Sequence, residues 1–385
     1  MTRELQTRYR LLQPGMALAT ALFSAAVGVG CGEPMSPDKS DRASALDEKS
    51  VAQLKPRKVP PQATDSEIRD PRWLNEHYVW LDRAADRREK LFVHMPGVGN
   101  PPSTGQLLAG EAARLGYHVI ALSYPNTWEI AICRGDPDCE RNVRFKVLDG
   151  KGSVILANDG FTRIDVTPAE SIDNRLTKLI RYLAANSPQE EKWAEFLHDG
   201  LPKWKKIVIS GHSFGGSQAA LIAKLHRVHR VTLFAAPRDF SFGQKDGWIA
   251  LGETASKRYY GLVHNQDPRC ALTLASWAVL GMFDPALLEQ VRAGGTVGDC
   301  RRHDAGLLAQ LMVENGAPPY GRMHTLLTDL LPSSGTYANA HGSVVRDLFT
   351  PLAADGTAAL RDAWRYMLGA QEKGEDAPDK GAQDE

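Results

Sequence analysis

The sequence predicts an α/β protein: a mostly parallel sheet with helices on both faces. Two observations carry that reading. Short apolar runs rich in Val, Ile, Leu and Tyr alternate along the chain with stretches of helical periodicity. The clearest of those runs, Lys206-Ile-Val-Ile-Ser210, passes through a glycine-flanked turn into the helix-forming run Gln218-Ala-Ala-Leu-Ile-Ala223. Strands apolar on both sides belong to a sheet covered on both faces.

The elements follow in chain order. Tyr78-Val-Trp-Leu81 and Lys90-Leu-Phe-Val-His94 read as an early strand pair, residues 106–115 as a helix and Tyr117–Ser123 as a strand. Thr167-Pro-Ala-Glu170 has the form of a capping box with Pro at the first helical position. It is expected to open a helix on which Ile172, Leu176, Leu179, Ile180 and Leu183 share one face. After the glycine turn a helix is expected from Gly216 to about Leu225, then strands at Val231–Ala235, Tyr259–His264 and Met323–Thr328. Residues 125–166 and 270–320 break the rhythm. They read as two long insertions, each with a cysteine pair, of the kind that form a lid or rim over a site.

The ends differ in character. Arg3, Arg8 and Arg10 precede a charge-free stretch from Met16 to Gly30, and Cys31 follows it. A basic segment, a short apolar core and small residues at its end read as a secretory signal over residues 1–30. Cysteine directly after Val29-Gly30 resembles a bacterial lipoprotein signal, although Gly28 stands where such signals usually carry Leu. Cys31 is thus the lipidation candidate, and export to the periplasm, outer membrane or exterior is expected. Residues 31–70, rich in Pro, Ser, Asp and Lys, read as a flexible linker, and residues 370–385 as a disordered tail. The folded domain is placed at 71–369.

The bulk composition narrows the partners. The 385 residues balance 46 basic against 46 acidic side chains, so no basic field invites nucleic acid. With Cys31 set aside, Cys133, Cys139, Cys270 and Cys300 form an even set that suits two disulfides in an oxidising compartment. Cys133 and Cys139 close a local loop, which leaves Cys270 to pair with Cys300. No CxxC or HExxH spacing points to a metal site, and no cofactor is expected.

The chemistry centres on Gly211-His-Ser-Phe-Gly-Gly216. A serine on a sharp strand-to-helix turn needs glycines beside it, and the helix start then offers free N–H groups to a developing negative charge. Val208-Ile-Ser-Gly-His-Ser-Phe-Gly-Gly-Ser217 resembles the nucleophile elbow of the α/β-hydrolase superfamily, and the likeness spans roughly residues 75–350. The chain is also similar, more narrowly, to a group of secreted bacterial serine hydrolases. That likeness rests on Ser123-Tyr-Pro-Asn126, the 133–139 cysteine loop and Asn339-Ala-His-Gly342.

The resemblance implies a nucleophile, Ser213, followed in the chain by an acid and then a histidine. Of the histidines beyond the elbow and its next strand (His264, His303, His324 and His341), His341 follows the last strand in a loop and is the expected base. Asp267 follows the Tyr259–His264 strand and is the expected acid, with Asp239, after the preceding strand, as the alternative. The oxyanion donors implied are the N–H groups of Phe214 and, in the Pro96-Gly-Val-Gly99 turn, of Val98. His212, adjacent to the serine, is expected to point to the other side of the turn, not to act as the base, and to pack against the sheet or line the pocket.

The implied reaction is hydrolysis of a small-molecule carboxylic ester through an acyl-enzyme. An acyltransferase or peptidase would use the same residues. A surface-anchored binding protein that keeps the elbow without turnover is the reading from another class.

Overall fold

A computed structural model describes residues 54–128, 130–133, 136–152, 154–155, 163–238, 249, 252–282, 300 and 305–371, all within one compact unit, Gln53–Glu385. Its centre is an eight-stranded sheet. We label the strands β1 (Arg57–Val59), β2 (His77–Trp80), β3 (Leu91–Met95), β4 (His118–Ala121), β5 (Ile207–His212), β6 (Arg230–Phe234), β7 (Tyr259–His264) and β8 (Thr325–Thr328). Their spatial order is β1-β2-β4-β3-β5-β6-β7-β8. β2 runs antiparallel to both neighbours, and every other pairing is parallel. A mostly parallel α/β sheet with helices around it is what the alternation of apolar runs and helical patterns predicted.

The described helices are α1 (Pro61–Thr64), α2 (Gln106–Arg114), α3 (Pro137–Asp149), α4 (Ile172–Asn186), α5 (Phe214–Leu225), α6 (Cys270–Val279), α7 (Ala305–Leu311), α8 (Ala340–Ser343) and α9 (Arg361–Met367). Every residue of β3, β5 and β6 is buried, as continuous apolar runs in a central parallel sheet must be. On α4 the stripe Ile172, Leu176, Leu179, Ile180 and Leu183 is wholly buried. At Gly261 in β7 the indole of Trp277 lies so close that a Cβ would fall 2.4 Å from it. That strand therefore packs backbone directly on an aromatic ring.

Four expectations are corrected. The tether does not extend to residue 70: Arg57–Val59 forms β1 against β2, and Ile68 is fully buried. The β1 pairing, burial of Val59, Pro61 and Ile68, and the bonds of Asp65 to Asn174 and Lys178 hold this stretch. The two early strands are not partners, because β4 lies between β2 and β3.

Thr167–Glu170 makes the expected turn, with Glu170 N–H donating to Thr167 Oγ1 at 3.3 Å, yet α4 starts only at Ile172 and is capped by Ser171. The Glu170 carboxylate is used elsewhere: it accepts from Arg69 and Asp70 N–H and pairs with buried Arg175. Finally, His341 does not lie in an open loop: it sits on the helical turn α8.

Cys133 is bonded to Cys139 and Cys270 to Cys300, with Cα separations of 5.5 and 5.7 Å. Such bonds belong to an oxidising, extracellular-type environment. No described helix is long and apolar enough to cross a membrane. Residues 1–53, with the signal segment and Cys31, lie outside the described residues, as do Asp239, His303 and residues 372–385.

Candidate functional site

The site begins where β5 ends. Ser213 has φ 53° and ψ −119°, a conformation that a residue with a Cβ adopts only under constraint. The constraint is visible in its neighbours. Ser213 N–H donates to Phe234 O at 3.0 Å, tying the turn to β6. A Cβ on Gly211 would fall 2.3 Å from Gly215 backbone, one on Gly215 2.1 Å from Met95 O, and one on Gly216 2.7 Å from Ala236 Cβ. The helix can start this close to β3, β5 and β6 only because these positions lack side chains. Ser213 occupies the N-cap of α5 but makes no side-chain capping bond, which leaves its hydroxyl uncommitted to the helix.

Phe214 is the first residue of α5, where the backbone N–H has no acceptor within the helix. Facing it is the turn after β3. Asn100 N–H donates to Gly97 O at 3.1 Å, closing a turn over Gly97–Asn100 with Gly99 at φ 64°. A Cβ on Gly97 would lie 3.2 Å from Ser213 Cβ, so the turn sits directly against the serine. Among the described residues Val98 N–H has no backbone acceptor.

Asn126 pins this turn by three bonds. Its amide donates to Gly97 O (2.8 Å) and Asn100 O (2.9 Å), and its own carbonyl accepts from Gly99 N–H (2.8 Å). Tyr124 adds a bond from its hydroxyl to Pro96 O at 2.6 Å and lays its ring parallel to that of Phe214. Ser123–Asn126 stands out in the sequence only as a likeness, and nothing there assigns Tyr124 or Asn126 a task. The only signal was a polar residue after Pro at a strand end.

Asp267 and His341 meet from separate elements. Asp267, 1% exposed, lies in the turn between β7 and α6. Its Oδ1 accepts from Arg269 N–H at 2.9 Å and its Oδ2 from His341 Nδ1 at 2.6 Å. Burial alone would raise the Asp267 carboxyl. The His341 ring, the Arg269 N–H and the Arg238 guanidinium outweigh it and hold the group below the usual carboxylate value. A carboxylate only accepts, so Nδ1 carries the hydrogen and Nε2 of His341 is the basic nitrogen. The His341 side chain is about a third exposed, at 29%. Among the described residues no hydrogen bond joins Ser213 Oγ to His341.

Four further histidines have contacts of their own. His264 donates from Nε2 to Leu330 O (3.0 Å) and accepts Gln266 N–H at Nδ1 (3.0 Å), which fixes the turn that carries Asp267. His324 lies just before β8, bonded to Tyr259 O and stacked on Tyr260 at 4.3 Å. His94 is buried beneath the site beside Ser210 Oγ, where burial pushes it down to about 3. His212 does pack inside, and its Nε2 lies 2.8 Å from His341 O.

One further contact was missed from sequence. Asp347 accepts from Gln106 and Leu107 N–H at 2.9 and 3.0 Å, joining the His341 segment to the start of α2. Among the described residues, no group of three His, Cys, Asp or Glu side chains is placed to hold a metal ion.

The arrangement brings Ser213, His341 and Asp267 to the carboxyl ends of β5, β8 and β7, where open α/β sheets bind ligands. The Gly97–Asn100 turn and the start of α5 supply free N–H groups beside the serine. No protein-family model and no curated protein matches the chain.

Proposed function

We propose that the chain is a serine hydrolase of the α/β-hydrolase kind that cleaves a carboxylic ester through an acyl-enzyme. One observation carries this reading. A serine forced to positive φ at the end of the central strand shares its corner with a histidine whose Nδ1 is held by a buried carboxylate at 2.6 Å. A turn serving only as a connection has no use for either feature. The sheet order and the position of each side chain after its strand fit the same family.

In this reading His341 Nε2 takes the proton from Ser213 Oγ as the oxygen bonds to the substrate carbonyl carbon. The carbonyl electrons move onto its oxygen, which the N–H groups of Phe214 and Val98 receive. Collapse breaks the bond to the leaving alcohol, which takes the proton from His341. Water then repeats the sequence on the acyl-enzyme and frees Ser213. Asp267 keeps His341 in the tautomer that can act. The chain's own residues account for each proton.

The same reading places the enzyme outside the cytoplasm, in keeping with its two disulfides, and assigns Cys31 as its membrane anchor. A fluorophosphonate probe tests the nucleophile: wild type is labelled and Ser213→Ala is not. A panel of p-nitrophenyl esters of graded chain length then tests ester hydrolysis. Labelling that persists in Ser213→Ala sinks the assignment, and labelling without turnover on any ester moves it to a peptidase or transferase. If Cys31→Ser leaves the protein bound to membranes, lipid at that cysteine is not the anchor.

A further inference from the structure

His212 is fully enclosed beside the nucleophile, and its two ring nitrogens face the two halves of the site. Nε2 lies 2.8 Å from the backbone carbonyl of His341, and the two imidazoles are 4.8 Å apart, centre to centre. A carbonyl only accepts, so Nε2 carries the hydrogen. Nδ1 is buried with no partner and faces Gly97, where a Cβ would come within 2.9 Å of it. The ring therefore fills the space between the turn that presents Val98 and the segment that carries His341.

Its charge state follows from what surrounds it. Burial first, then the His341 and His94 rings and the Arg346 guanidinium, push His212 well below the usual histidine value, against the opposing bond to His341 O. A proton on Nδ1 would find no acceptor there. His212 is thus a neutral, single-tautomer donor.

We infer that His212 is a positioning residue that sets the distance between the oxyanion turn and the base: one imidazole, wedged against Gly97, holds His341 by its backbone carbonyl. Asp267 fixes the His341 ring at Nδ1, and His212 fixes the backbone from which the ring projects. Two attachments are needed because α8 is only four residues long and His341 is partly exposed. The inference rests on the proposed hydrolase reading for its consequence, though not for its geometry.

The side-chain geometry supplies a paired test. In His212→Gln the amide nitrogen falls near the place of Nε2 and can still donate to His341 O. In His212→Asn it falls near Nδ1 and cannot. Misplacing a catalytic group by about 1 Å costs on the order of 100-fold in rate. We expect His212→Asn to lower kcat on a p-nitrophenyl ester roughly 10- to 100-fold with KM within about threefold. His212→Gln should recover most of that loss, and the two variants should melt within a few degrees of each other.

The second readout needs no turnover. In protein carrying 15N-labelled histidine, His212 should appear as the Nε2–H tautomer, and the His341 ring signals should move in His212→Asn but not in His212→Gln. Equal kcat and equal His341 signals in the two variants would overturn the inference. If Ser213 proves unreactive while the His341 signals move as expected, the hydrolase reading fails and the positioning role stands.

Discussion

The two halves of the site are held by different physics. The serine corner, from β5 into α5, is fixed by exclusion: three glycines bring backbone within van der Waals contact of β3, β5 and β6, and no rotamer change can relieve a side chain added there. The histidine segment, residues 331–352, is fixed by attachment. It meets the rest of the molecule at its functional end through the Asp267 carboxylate, the His212 ring and the Asp347 carboxylate. Ala340, Val344 and Val345 are buried, whereas Leu331, Tyr337, Leu348 and Leu352 are exposed, so apolar burial steadies only the segment's inner side. A steric constraint is all or nothing, whereas an attachment can be weakened by degrees.

That contrast is sharpest under a single added methyl. Gly215→Ala places a carbon 2.1 Å from Met95 O and 2.5 Å from Pro96 O, backbone atoms at and just after the end of β3. We expect a loss of about 3 kcal/mol or more, read as a collapse of the urea midpoint or as failure to obtain soluble protein. Gly342→Ala, beside His341, meets the Phe349 ring at 2.8 Å and Arg346 Cδ at 3.0 Å, side chains that can turn aside. Its cost should be about 1 kcal/mol. Similar losses for the two would erase the distinction between the regions.

The attachments break next, and on the proposed hydrolase reading activity should fall without the fold. Asp267→Asn turns the acceptor facing His341 Nδ1 into a group that can donate, which favours the wrong tautomer of the base. A fall in kcat of roughly 1,000- to 10,000-fold is expected, with the melting temperature near that of wild type. Asn126→Ala removes two side-chain hydrogen bonds from the Gly97–Asn100 turn and leaves the Asn100 amide on Val98 O and, just before the turn, the Tyr124 hydroxyl on Pro96 O. Loosening one oxyanion donor without deleting it should cost about 10- to 100-fold in kcat, with KM little changed. A rise in KM alone would assign Asn126 to substrate binding instead.

Legibility in the sequence divides along the same line. The serine corner could be read because its constraints are local: strand, glycines and helix lie within twenty residues, and each leaves a compositional mark. The sheet was legible for the same reason, strand by strand, from Leu91–Met95 to Thr325–Thr328. Strand order was not, since nothing in Tyr78–Leu81 says that β4 will come between it and β3.

β1 escaped notice because a three-residue edge strand in a polar segment is held by backbone bonds, which composition does not record. On the histidine side, His341 and Asp267 could be picked out by chain order. The bonds from His212 to a main-chain carbonyl, from Asn126 to two others and from Asp347 to two N–H groups could not. Such bonds leave no periodicity, and any of these residues would read equally well as a turn former or a packed core residue.

The smallest expected effect tests the weakest attachment. Burial pushes the Asp347 carboxyl up to about 6 from an ordinary 3.8, against the opposing bonds from Leu107 and Gln106 N–H. Because its value in the folded chain is the higher one, the folded state keeps a proton that the unfolded state releases between pH 4 and 6. This group's contribution to stability is therefore fullest below pH 4, declines as pH rises to 6 and is level beyond it. Asp347→Asn has no such proton. Its stability deficit relative to wild type should be greatest near pH 4 and shrink on going to pH 7, by on the order of 1 kcal/mol once partial solvent screening is allowed for. Urea melts of the two proteins at pH 4.5 and 7 measure the difference directly. A deficit that grows toward neutral pH would mean that the carboxylate is better satisfied by the α2 N–H groups than its burial implies, and that the histidine segment is tied down more firmly than the serine corner comparison allows.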